Sequence, residues 1–195
     1  MISYLNHNQF RIPGRKSICR LALALLTLLA GKVNAQDYYT SKKGQVIVQS
    51  VYYDTVLVIK SDELVMQLNY GKANLKMSVD LNSFSSAVDS VNTKLGELTG
   101  KNVSFDGKLG IDYVNTKAHL PQKFNFSGTL RYSGINVPVN GEGSLTHIFS
   151  NSEITSCILW LKFKLDTEKL LWNLPEYGLS DVITVNIIQA ILDYR

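Results

Sequence analysis

The chain has 195 residues, 45% of them hydrophobic and 18% charged, with a formal net charge of +4. Residues 1–35 hold five of the 20 Lys and Arg and none of the 16 Asp and Glu, so the remainder carries 15 basic residues against 16 acidic ones, a net −1. That balance excludes a nucleic-acid-binding function inferred from basicity, because affinity for phosphate needs clustered excess positive charge and the one basic run left is Lys42-Lys43.

Residues 1–35 read as a signal peptide. Arg11, Arg15, Lys16 and Arg20 form a basic region, Leu21 to Ala30 an apolar run, and Val33-Asn34-Ala35 a cleavage site with small residues where a signal peptidase requires them. The apolar run is shorter than the ~20 residues of a bilayer span, so a retained anchor is the weaker reading. The expected mature protein starts at Gln36, has no membrane span, and is exported to the periplasm or secreted. Processing removes Cys19 and leaves Cys157 alone, so no internal disulfide can form and stability must come from burial. Within ITSCILWLKFKL, Cys157 reads as a small buried hydrophobe. Residues 36–195 form one expected domain, since no Pro-, Gly- or Ser-rich linker divides them and a chain of this size supports a substantial core.

Period-two alternation then dominates. VIVQSVYY (46–53), TVLVIK (55–60), LVMQLNY (64–70) and NLKMSVDL (74–81) are β-rich runs with SDE and GKA as turns between them. The next segment breaks the pattern: Ala87, Val88, Val91, Leu95 and Leu98 stand at helical spacing, with Ser85 or Ser86 available as N-cap and Gly100 past the end. This predicts a helix of about three turns covering one end of a barrel. VSFDGKLGIDYV (103–114) returns to strand. In KFNFSGTLRYSGINVPVNGEGSLT (123–146), Phe124, Phe126, Leu130 and Tyr132 alternate with polar residues up to a tight turn, and Ile135, Val137 and Val139 resume beyond it. The two glycines of NGEGSL read as a bend or bulge at a barrel corner. EITSCILWLKFKL (153–165) follows, then a short helical turn in TEKLLWNLPEYGL capped by Thr167 and ended before Pro175. Last comes DVITVNIIQAILDY (181–194), apolar at Ile183, Val185, Ile187 and Ile191 on one face and at Val182, Ile188, Ala190 and Leu192 on the other. A strand with two dry faces reads as the one that closes the barrel, with a homodimer through this edge as the alternative. About nine short strands at this spacing predict an all-β antiparallel sandwich or barrel.

Catalytic signals are sparse. Beyond residue 35 the chain has His119 and His147, neither in an HxH, HExxH or HxxE pattern that would place two metal ligands on one face, and no GxSxG nucleophile turn. No enzyme activity, cofactor or metal is therefore expected. The positive signal is apolar and aromatic, and inward side chains of a small barrel either fill it or line a ligand chamber.

LVMQLNYGKANLKMSVDLNSF, VSFDGKL, FNFSGTLRYSGINVPVNGEGSLT, FKLDTEKL and the closing DVITVNIIQAIL, in that order, resemble the YceI-like, polyisoprenoid-binding family. The motifs shared are Leu81-Asn82-Ser83-Phe84 after a hydrophobic strand, an aromatic-x-Gly strand, and a hairpin carrying Gly128, Leu130, Gly134 and Val139. The chain departs from the family pattern in lacking a histidine in YYTSKKGQVIVQSVYYDTVLVIK and an acidic-Tyr-Pro segment after the helix. The resemblance implies an antiparallel eight-stranded lipocalin-like barrel with one helix near one end, holding a hydrophobic or isoprenoid-tailed lipid. Under that reading Met77, Phe105, Phe124, Phe126, Leu130, Trp160 and Phe163 are the candidate ligand-binding residues, although Trp160 and Phe163 have opposite parity on one strand. The alternative is a filled barrel that serves as an envelope interaction or stress-response module through its outer surface. Small inward residues such as Ser78, Gly128 and Ala190 would favour a chamber, and aromatics meeting at the centre would favour filling.

Overall fold

The alternating runs pair with one another in chain order, and the pairing closes on itself. The computed structural model describes residues 38–52, 54–97, 101–115, 120–150, 153–170 and 180–191; the signal-peptide segment, His119, Leu98, Gly100, Pro175 and Leu192 lie outside them. Among the described residues the strands are β1 (Tyr38–Tyr52), β2 (Thr55–Asn69), β3 (Asn74–Asp80), β4 (Ser85–Ser86), β5 (Asn102–Leu109), β6 (Gln122–Tyr132), β7 (Ile135–Ser150), β8 (Glu153–Asp166) and β9 (Val182–Ile191). The hydrogen-bonded order runs β1-β9-β8-β7-β6-β5-β3-β2, and β2 pairs back onto β1. Every pairing is antiparallel. The result is the expected eight-stranded closed barrel, with β4 as a two-residue stub on β2 at Ile59 and Lys60. As expected, β9 closes it, lying between β8 and β1. Its inner face is buried at Ile183, Val185 and Ile187, but its outer Val182 is 50% exposed, so that face is not dry throughout.

Local chemistry explains the joints. Ser133 and Gly134 both have positive φ, 47° and 84°, which matches the right-handed twist of the β6–β7 hairpin they connect. Asp54 and Ala73 take the same region, at 64° and 53°, in the two earlier turns. SDE is not a turn: β2 continues through Ser61, Asp62 and Glu63, and the irregularity is a pair of register shifts against β1, the second of which sets Asp62 and Glu63 opposite Gln45 between the Gly44–Leu64 and Val46–Ser61 pairs. Ser61 turns inward at 2% exposure and meets Ser83 Oγ at 2.6 Å, while its own Oγ accepts the Glu63 N–H. A bulge in a continuous strand thus gives a polar break that resembles a turn in sequence.

The helix α1 (Asp89–Gly96) has eight residues, about one turn fewer than the spacing predicts. Val88 occupies its N-cap without a side-chain hydrogen bond. Ser86 acts one step earlier instead: its Oγ accepts the Val88 N–H at 2.9 Å, and Asn92 bonds both backbone groups of Ser86. After β8 a 3-10 turn covers Thr167–Leu170. Asp166, not Thr167, supplies its side-chain acceptor, to the Glu168 N–H. Thr167 is fully buried and donates from both N and Oγ1 to the Asp181 carbonyl, tying the end of β8 to the start of β9.

Candidate functional site

The barrel interior has two ends that differ in how far side chains reach. At the end where β1 begins and β5 ends, Leu68, Leu75, Leu109, Leu145, Leu159 and Leu161 are each 0% exposed. Toward α1, Val79, Phe105, Leu130, Phe163, Ile183 and Val185 retain 4–8% exposure, because they border a cavity of about 470 Å³. That volume falls within the ~300–1,000 Å³ of small-molecule sites.

The chamber wall comes from seven strands, with Leu130 the contribution of β6. Val46 and Val48 of β1, Leu64 of β2, Met77 and Val79 of β3, Phe105 of β5, Phe163 and Leu165 of β8, and Ile183, Val185 and Ile187 of β9 line it. The LNSF segment forms its rim: Asp80 Oδ1 accepts the Asn82 N–H at 2.9 Å and starts a 3-10 turn, Leu81–Ser83, which leads the chain across the barrel end and sets Leu81 and Phe84 against the cavity. Helix α1 lies at the mouth through Val91 and Leu95. Among the described lining residues the charged side chains are Lys94 and Glu97, paired at 3.0 Å and both more than half exposed. Ser50, Tyr52, Ser90 and Ser104 also contribute to the lining.

The floor is aromatic. Phe126 stands between Phe105 and Phe163, edge to face with each, at centroid distances of 5.9 and 6.0 Å. Inward glycines make room for the rings. A Cβ on Gly107 or Gly128 would meet Phe105 Cζ at 2.5 Å, one on Gly141 would meet Phe126 Cε1 at 2.6 Å, and one on Gly143 would meet Phe124 Cε2 at 2.5 Å. The two glycines of NGEGSL therefore serve this packing and not a bulge: the β6–β7 and β7–β8 ladders keep their register through Gly141 and Gly143.

Of the sequence candidates, Met77, Phe105, Leu130 and Phe163 line the chamber. Phe124 and Phe126 are buried and do not border it, Phe126 backing the floor between Phe105 and Phe163, and Trp160 is half-buried on the opposite face of β8 from Phe163, between Ser144 and Ile188 of its neighbours. Gly128 lies under the Phe105 ring, so its small size admits an aromatic side chain rather than ligand space. Ser78 is among the residues that border the chamber, although it alternates on β3 with the buried Met77 and Val79. Aromatics do meet at the barrel centre, but they fill only the half below it. The aliphatic wall of β1 and β9 was missed by attention to aromatic residues, although its period-two pattern was present in the sequence.

No protein-family model and no curated protein matches the sequence. Solved structures do match. A polyisoprenoid-binding domain from Saccharophagus degradans, implicated in plant cell wall breakdown, aligns with a TM-score of 0.62 over 80% of this chain and 98% of its own, at 11% identity. BcnA of Burkholderia cenocepacia aligns with a TM-score of 0.59 over 75% of this chain and 94% of its own, at 13% identity. The chain has their fold. The lipocalin-like barrel that the YceI-like motifs imply is therefore present, with the helix at its open end.

Proposed function

We propose that the chain is a divergent YceI-like protein that is exported and, without catalysing a reaction, holds a hydrophobic or isoprenoid-tailed molecule inside the barrel. The observation that carries this reading is the chamber of about 470 Å³, walled by aliphatic and aromatic side chains and, among the described residues, bordered by charge only at Lys94 and Glu97. Burial of each CH₂-sized group contributes about 0.8 kcal/mol, so an apolar tail can be held without a charged contact. The polyisoprenoid binding of the Saccharophagus domain supports this ligand class. The basic and apolar composition of residues 1–35 supports export.

Native mass spectrometry of the full-length chain, expressed in a Gram-negative host and purified without detergent, tests both parts. Cleavage after Ala35 and a stoichiometric adduct whose solvent extract contains a prenyl chain are the expected results. An apo mass with no uptake of added prenyl lipids would overturn the binding reading. It would favour the second reading, a module acting through its outer surface, which the aromatic filling around Phe126 supports.

A further inference from the structure

We infer that the Phe105–Phe126–Phe163 cluster is a chain-length stop, and that the chamber takes an amphiphile whose tail has about three isoprene units in place of a long polyprenyl chain. The inference rests on the binding reading above and adds the class of ligand. Three observations carry it. First, a water- or methylene-sized group occupies about 30 Å³, so 470 Å³ corresponds to about 15 such groups. Second, the space does not continue through the barrel: Phe105 and Phe163 border it, Phe126 does not, and the leucines beyond are 0% exposed. Third, the stop is held in place. Two T-shaped contacts fix the Phe126 ring, and the inward faces of Gly128 and Gly141 leave no room for a Cβ beside the rings of Phe105 and Phe126. A tail entering beside α1 must end at this floor, and further units remain at the mouth in water.

Prenyl alcohols suit the test, since the charges at the described mouth, Lys94 and Glu97, neutralise each other. Geraniol, farnesol, geranylgeraniol and octaprenol would compete with a dansyl-labelled farnesyl probe on the full-length protein. The expected result is an affinity gain of about tenfold or more from geraniol to farnesol, as apolar burial increases, and a change of less than about twofold beyond farnesol, where added units find no wall. Phe126→Leu, with Phe163→Leu as a second variant in case the first folds poorly, should move the plateau to geranylgeraniol. Affinity that keeps rising to octaprenol in the unmodified protein would overturn the stop while leaving the binding reading intact. Failure of every alcohol and of the probe to bind would overturn the binding reading itself, and the stop with it.

Discussion

In the closed half of the barrel, Leu68, Leu75, Leu109, Leu145, Leu159 and Leu161 reach the axis and leave no accessible surface, whereas beneath α1 the inward residues of β1 and β9 are Val46, Val48, Ile183, Val185 and Ile187. Both halves obey the same alternation. Their difference is one of reach: leucine and phenylalanine extend to the centre, while β-branched side chains are short and stiff at χ1 and stop near the wall. Glycines amplify the contrast: Gly141 and Gly143 admit the rings of Phe126 and Phe124 on the closed side. A barrel of eight strands can thus be core at one end and container at the other without any change of backbone.

Equal truncations in the two halves should therefore cost unequal amounts. Leu161→Ala removes a fully buried side chain from a close-packed region and should lower unfolding free energy by about 4 kcal/mol, toward the upper end of leucine truncations. Leu130→Ala, beside an existing void, deletes methyl groups that already lack neighbours on one side and should cost about 2 kcal/mol. Urea unfolding with unchanged m-values measures both. Equal losses would show that the chamber collapses in solution and would break the comparison.

Gly141→Ala sharpens it. The added Cβ would press on the Lys162 carbonyl and the Phe126 ring, an overpacking expected to cost about 2 kcal/mol. Phe126→Leu in the same chain should return part of that loss, because a shorter side chain can yield where the ladder cannot. A double-mutant cycle read by thermal or urea unfolding gives the coupling, and simple additivity would place the strain in the backbone alone.

The barrel was legible because period-two alternation is local and strong: Leu75, Met77 and Val79 announce an inner face with no knowledge of their partners. The joint at Ser61–Glu63 was not, since a bulge is defined by its pairing with the opposite strand, here two residues of β2 facing one of β1. The same limit governed the site. Parity put Phe124 and Phe126 on one face and left the choice between Trp160 and Phe163 open, and height along the barrel axis, which separates chamber wall from filled core, depends on the stagger between strands, a long-range property. Trp160 illustrates the opposite case: parity marked it as opposed to Phe163, and its large apolar ring was nonetheless included as a candidate. The inward glycines at 141 and 143 spoke of a bend in isolation, and only the rings of Phe124 and Phe126 across the ladder reveal what they accommodate.

The smallest effect belongs to the outer face. Asp106 pairs across the barrel surface with Lys76 of β3 at 3.7 Å and with Arg131 of β6 at 3.8 Å, all three side chains being 41–65% exposed. Water screens such pairs and ordering long side chains offsets their attraction, so Asp106→Ala should cost about 0.5 kcal/mol at low salt and less near 1 M salt, where the Debye length is about 3 Å. Its neighbour Phe105 points the other way, into the chamber. Prenyl alcohol affinity in Asp106→Ala should consequently stay within about twofold of the unmodified protein, even though the substitution lies one residue from the floor. A loss as large as that of a chamber-wall truncation would mean that the outer ion pairs hold the β3–β5–β6 wall in shape, and that inside and outside of this barrel are energetically one surface.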